Sequence, residues 1–206
     1  LVFLILYVIL LSVKTISLNK QKKCIKLNKE LLNKLKKSIR VIPNFPKKGI
    51  MFQDIFSLIE KPKLLKQIQK EISKIIKKEK ITKIIGIDAR GFIFGSIASY
   101  DNNIPFIPIR KKGKLPGQVY KKKYKLEYGF DQVEIQKKSI SKNDKVLIVD
   151  DLIATGGTAI AAAKLIENMS TKKISFMFVI DLYNLDGAKI LEEKGYNVFS
   201  MIKTEG

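Results

Sequence analysis

Histidine is absent from the 206-residue chain, which excludes the common zinc sites and any Ser–His or Cys–His nucleophile pair. Acid/base work must then fall to Asp, Glu, Lys or Tyr. A single cysteine, Cys24, excludes an internal disulfide framework and fits a reducing compartment. The N-terminal run LVFLILYVILLS falls short of the ~20 apolar residues of a membrane span. It also lacks a basic flank and an A-x-A-like cleavage site, and the chain opens on Leu instead of Met. Residues 1–26 therefore read as an extension outside the domain with an uncertain start, or alternatively as a fragmentary signal or anchor, in either case ending in a Lys-rich linker, and the domain is expected over 27–206. No stable membrane span is expected, and the chain is expected to be cytoplasmic.

Arginine is scarce as well. Of 40 basic residues only Arg40, Arg90 and Arg110 are arginines, which hints at places where a planar, forked cation matters. Against 19 acidic residues the formal charge is +21. Such a charge suits an anionic partner, nucleic acid or a polyanionic small substrate. Because the lysines are scattered over most expected helices and loops, nucleic acid is not the expected partner.

What is present is an alternation of strands and helices. LNKELLNKLKKSIR and Lys61 to Lys78 carry apolar residues at helical spacing, the second with Pro62 in its first turn. VIPNFPKKGIMFQDI, with two prolines and a glycine, reads as an ordered loop. KIIGID, IPFIPIR, VLIVD, ISFMFVID and YNVFSMI read as strands, with helices after Gly86 to Gly95, over Thr158 to Asn168 and in DGAKILEEKG. The expected fold class is α/β, a central mostly parallel sheet flanked by helices, with a small N-terminal hood. The stretch Lys111 to Lys142 reads as a long excursion between strands. In such sheets ligands bind outside the carboxyl ends of the strands, where DARGF, RKKGKLPG and DDLIATGGT fall.

The turn Ala154, Thr155, Gly156, Gly157, Thr158 follows a strand and opens a helix. Two residues without Cβ let backbone N–H groups converge on an anion, and the threonines add hydroxyl donors. No G-K-[ST] follows, so a single phosphate is the natural guest and not the polyphosphate of a Walker A loop. Asp150 and Asp151 would repel that phosphate and should face a neutral, hydroxyl-rich neighbour such as a ribose. They would also favour a cationic centre at the adjacent carbon. A Walker-B-like Mg²⁺ pair and an exposed strand-end pair are the other readings of the same two carboxylates.

VLIVDDLIATGGT resembles the phosphoribosyl pyrophosphate (PRPP) motif of type I phosphoribosyltransferases. RVIPNFPKKGIMFQDI, IIGIDARGFIFG, IRKKGKLPG and YKLEYGFDQVEIQKKSI together resemble the adenine-specific branch in order and spacing, from about Arg40 to the C-terminus. The resemblance implies transfer of the phosphoribosyl group of PRPP to adenine, giving AMP and pyrophosphate, by a homodimer. Mg²⁺ would be carried by PRPP and not bound directly by protein ligands. It implies that Ala154 to Thr158 hold the 5′-phosphate and that Asp150 and Asp151 hold the ribose hydroxyls. Asp88, Ala89 and Arg90 match the pyrophosphate loop, with a cis peptide at Ala89–Arg90. Arg110, Lys111 and Lys114 match a second cationic cluster, from which Arg110 is a candidate to reach a neighbouring subunit; by composition alone RKKGK reads equally as a solvated loop. Met51 and Phe52 match the adenine hood, closed by Arg90, although a lone Phe in a loop is more often core. Glu127 is the expected acid/base group, and Tyr128 is expected to cover the pyrophosphate. Gln53 departs from the branch, where many members carry Arg, and this puts any ion pair made by that Arg in doubt.

Two rival readings remain. A 6-oxopurine enzyme typically carries Asp in place of Ala154 and has its hood at the C-terminus. A PRPP-sensing, nucleic-acid-binding regulator would fit the charge, but no helix-turn-helix pattern is found and LEYG is intact.

Overall fold

A computed structural model describes residues 25, 27–125, 129–169 and 171–206. The extension expected over 1–26 thus lies, except for residue 25, outside the described residues, as do Glu127 and Tyr128.

Among the described residues, seven strands form one sheet in the order β5-β6-β4-β3-β7-β8-β9. Strands β3 (Lys83–Ile87), β4 (Phe106–Lys111), β7 (Lys145–Ile153), β8 (Lys173–Leu182) and β9 (Asn197–Thr204) run parallel. Runs such as Val146 to Val149 and Phe176 to Ile180 are buried along their length, as expected of strands covered on both faces.

Helices α1 (Lys29–Ser38), α2 (Phe56–Ile59), α3 (Pro62–Glu79) and α4 (Gly91–Asn102) contribute Leu35, Leu58, Ile68, Ile72 and Phe94 to the core on one face. Helices α5 (Gly157–Glu167) and α6 (Gly187–Glu193) cover the other with Ala162, Leu165, Ala188 and Leu191. Local signals define the helix ends. The Asn28 side chain accepts a 2.7 Å hydrogen bond from the Leu31 N–H and so caps α1. Pro62 opens α3, where its missing N–H has no helical partner to lose.

Two expectations need correction. VIPNFPKKGIMFQDI is not only loop: β1 (Arg40–Pro43) and β2 (Met51–Asp54) pair antiparallel, with Ile42 opposite Phe52. Prolines and a glycine dominate the pattern, but the β-branched and aromatic residues at its two ends suffice for a short ribbon. The ribbon is anchored by Ser57, whose hydroxyl accepts from the Arg40 N–H (2.8 Å) and lies 2.6 Å from the Asp54 carbonyl, to which it donates. Likewise, the excursion Lys111 to Lys142 contains an antiparallel hairpin, β5 (Val119–Lys125) and β6 (Phe130–Gln136). Strand β6 joins the edge of β4 antiparallel, with Arg110 opposite Glu134, and buries Val133 and Ile135 in the core.

The chain passes from β3 to β4 on one side and later to β7 on the other. The carboxyl end of β3 is therefore a switch point, flanked by the ends of β4 and β7. All three motif loops meet there.

Candidate active site

The turn after β7 is built from backbone. Gly156 has φ 81°, a left-handed conformation that glycine adopts without steric cost, and its carbonyl accepts from the Ile160 N–H at 2.9 Å. No side chain caps α5, and the N–H groups of residues 157–159, ahead of the first helical acceptor, are placed to meet an anion. Gly187, at the start of α6, presses against this turn. Its N–H donates to the Ala154 carbonyl (3.0 Å), and a Cβ there would stand 2.1 Å from that carbonyl oxygen and 2.7 Å from the Gly156 nitrogen. Motif reading missed Gly187; the Asp-Gly pair opening DGAKIL was the available signal. Leu185, just before it, lines the same cleft and was also missed.

Asp150 and Asp151 lie where β7 meets α4. The Asp151 N–H donates to Asp150 Oδ1 (2.9 Å). Gly91 admits the approach: a Cβ there would lie 2.5 Å from the Val149 carbonyl oxygen and 2.9 Å from Asp150 Oδ1. Arg90 Nε lies 2.9 Å from Asp151 Oδ2, an ion pair in which the buried Oδ2 still accepts no aligned hydrogen bond. Burial pushes the Asp150 carboxyl well above its ordinary range, and the charge of Asp151 adds to the effect. Burial also raises Asp151, opposed by the Arg90 guanidinium. The buried Asp151 Oδ2, short of an aligned donor, is suited to accept a hydroxyl proton from a ligand.

The facing arm comes from the ends of β3 and β4. The cis peptide is at Asp88–Ala89 and not, as the resemblance implied, at Ala89–Arg90. The Ala89 carbonyl already accepts from the Phe92 N–H (3.2 Å) and Arg90 has helical dihedrals, so the Ala89–Arg90 peptide belongs to the first turn leading into α4. Arg110 Nε bonds Asp88 Oδ2 at 2.9 Å and its Nη1 the Lys114 carbonyl at 3.1 Å, while the guanidinium lies 5.9 Å from the Phe92 ring centre. Lys111 donates to the Tyr124 hydroxyl at 2.8 Å and pairs with Asp131. On its other face the turn is held by the buried Glu134, which accepts from the Gly113 N–H at 3.0 Å and the Gln132 amide at 2.8 Å.

These loops enclose a cleft of about 580 Å³, lined by Asp88, Ala89, Arg90, Lys111 and the whole segment Asp150 to Thr158. Arg110, Lys114, Met51 and Phe52 stand outside its lining. Phe52 is tied to it through Arg90, whose guanidinium lies 6.0 Å from the ring centre, and Phe45 meets Phe52 edge-on at 5.0 Å. Met51 is exposed, whereas Gln53 is buried and its amide donates to the Met51 carbonyl at 3.3 Å. At the position where the resemblance implied Arg in many members, Gln53 thus makes a neutral bond within the hood strand.

Among the described residues no cluster of three or more Cys, Asp or Glu could hold a metal ion. Asp151 faces Arg90, and Asp150 is engaged by a backbone N–H. The cleft's donors would fit Mg²⁺ that arrives on ligand phosphates with its waters.

A phosphate cradle, hydroxyl acceptors and cations in one cleft describe a sugar-phosphate site with a further anionic group. Residues 57–205 match the phosphoribosyl transferase domain family, which sets the class. Within it, the chain is 46% identical over 172 residues to the adenine phosphoribosyltransferase of Nitrosospira multiformis, covering 84% of this chain and 98% of that one. It is 45% identical over 169 residues to that of Methanococcus vannielii, covering 82% and 96%. The crystal structure of the Rhodothermus marinus adenine phosphoribosyltransferase superposes with a TM-score of 0.80 at 39% identity, covering 86% of this chain and 100% of that one. The Saccharomyces cerevisiae enzyme, complexed with an imino-altritol bisphosphate and adenine, does so at 0.76 and 36% identity, covering 83% and 98%. The chain belongs to the adenine phosphoribosyltransferase family.

Proposed function

We propose that the chain carries out purine salvage by moving the 5-phosphoribosyl group of PRPP to adenine, releasing AMP and pyrophosphate. The observation that carries this reading is the order of groups along the cleft. The Gly-Gly turn and then the acidic pair line it, and Asp151 pairs with Arg90, which leads out to Phe52 beyond the lining. That is the order of 5′-phosphate, ribose and base in the product.

In this reading the N–H groups and hydroxyls of residues 154–158 hold the 5′-phosphate, and Asp150 and Asp151 accept the ribose 2′ and 3′ hydroxyl protons. A purine ring nitrogen forms its bond to C1′ as the C1′–O bond to pyrophosphate breaks. Positive charge develops on the ribosyl centre, where the neighbouring carboxylates stabilise it. Asp88, Ala89, Arg90, Arg110, Lys111 and Lys114 receive the pyrophosphate, for which guanidinium and ammonium donors are suited. Mg²⁺ would be carried by PRPP beside Asp88 to Arg90, Arg110, Lys111 and Lys114, and there it would supply charge neutralisation for the leaving group. Glu127 serves the purine nitrogens as acid/base group and Tyr128 covers the pyrophosphate; both lie outside the described residues. A homodimer belongs to the same reading.

An assay offering radiolabelled adenine, hypoxanthine, guanine and orotate with PRPP and Mg²⁺ tests it. Nucleotide from adenine alone is expected. Nucleotide from hypoxanthine or guanine in preference would overturn the base assignment, and no product with PRPP bound would favour a sensor.

A further inference from the structure

Four elements meet on one phenol oxygen. Tyr124 of β5 accepts a hydrogen bond from Lys111 Nζ at the end of β4 (2.8 Å) and from Thr158 Oγ1 in the first turn of α5 (3.2 Å). It donates to Asp131 Oδ2 of β6 at 3.0 Å. A phenol has one proton and two lone pairs, so its bonding capacity is filled. The carboxylate is itself fixed, because its Oδ1 accepts the Gln132 N–H at 2.7 Å, and the Lys111 ammonium lies 5.5 Å from the Tyr124 ring centre.

We propose that Tyr124 is a positioning residue for PRPP, joining the cation that meets its pyrophosphate to the hydroxyl that meets its 5′-phosphate. The inference rests on the roles given above to Lys111 and Thr158. These two residues lie on β4 and α5, which are not neighbours in the chain, and both line the cleft. The phenol sets the spacing between them. Lys111 has three N–H donors; Tyr124 and Asp131 take two, which orients the third. Burial opposes its charge, but the bonds to Asp131 and Tyr124 outweigh this and raise its pKa. The ammonium therefore stays charged while held still. Edge hairpin and substrate site are coupled by this one atom.

The test is the kinetics of Tyr124→Phe, which keeps the ring and removes only the oxygen. KM for PRPP is expected to rise about tenfold while KM for adenine stays within twofold. A merely structural role would lower the active fraction and the melting temperature and leave KM for PRPP in place. Where Tyr124→Phe does not fold, Asp131→Asn is expected to raise the same constant. Lys111→Ala and Thr158→Ala separate the two layers of argument. If neither raises KM for PRPP, the site roles themselves fail. If both do and Tyr124→Phe leaves KM within twofold, the roles stand and the positioning by Tyr124 is overturned. Adding Tyr124→Phe to the Lys111→Ala, Thr158→Ala double variant is expected to change KM no further, and a full tenfold increment there would also overturn it.

Discussion

At the scale of single residues, Asp150 is pushed toward its neutral form by burial and by the charge of Asp151. A carboxyl whose folded pKa is raised contributes stability that is complete below its unfolded value, near 4, and is lost as pH rises through the folded value. Asp150→Asn, which resembles the neutral acid, is therefore expected to raise the melting temperature at pH 8 by a few degrees, about 1 kcal/mol, with the gain vanishing near pH 4. Calorimetry across that range checks it. The same residue is expected to be needed for substrate. Asp150→Asn combined with Asp151→Asn should weaken PRPP binding and lower kcat together, and near-normal activity would sink the ribose assignment. Glu127→Ala is expected to lower kcat roughly a hundredfold with little change in PRPP affinity, measured by steady-state kinetics beside equilibrium binding.

Between elements, two contacts at opposite ends of the sheet have different purposes. Far from the cleft, Asp144 precedes β7 and ties it to β3 through Lys83 (3.0 Å) and the Thr82 hydroxyl (2.9 Å). Burial opposes its charge, but the Ser141 N–H, the Lys83 ammonium and the Thr82 hydroxyl outweigh it and hold the carboxyl at about 2. A depressed carboxyl contributes stability above its unfolded pKa that is lost as pH falls through the folded value. Asp144→Asn is expected to cost about 2 kcal/mol at pH 7, a difference that denaturation should show closing between pH 4 and 2. At the cleft, α6 touches the phosphate turn through Gly187. Gly187→Ala must displace the Ala154 carbonyl, so PRPP affinity and stability should fall together, the latter by about 1–3 kcal/mol. Separated from the site, Asp144→Asn should leave KM for PRPP unchanged.

Taken as a whole, the molecule's +21 charge is mostly lysine, yet the few arginines are placed selectively. Arg90 lines the cleft on Asp151, Arg110 pairs at its edge with Asp88, and Arg40 sits at the root of the hood near Asp54 and Glu60. The surplus charge attracts a polyanionic substrate over distances that salt screens. Accordingly kcat/KM for PRPP is expected to fall as ionic strength rises, while the KM of uncharged adenine changes little. Among the described residues, no helix is long and apolar enough to cross a membrane.

The strands and long helices were legible because burial on both faces leaves apolar runs and burial on one face leaves helical spacing, both visible without long-range information. The Gly-Gly turn after β7 and the acidic pair could be located because each is contiguous in the chain, and the ligand groups proposed for them come from the resemblance. The β1–β2 and β5–β6 ribbons were not. Their apolar residues are few and set among prolines or lysines, and pairing across a turn or onto β4 decides them. Nor did the chain order reveal Gly187 against the Ala154 carbonyl, Gln53 on the Met51 carbonyl, or the phenol of Tyr124 between Lys111 and Thr158. Sequence by itself determined the class of chemistry, since that resides in residue types and local spacing. Only the tertiary structure decided which distant residues share one hydrogen-bonding atom, because that depends on where strands β4, β5 and β6 and helix α5 come to rest around the cleft.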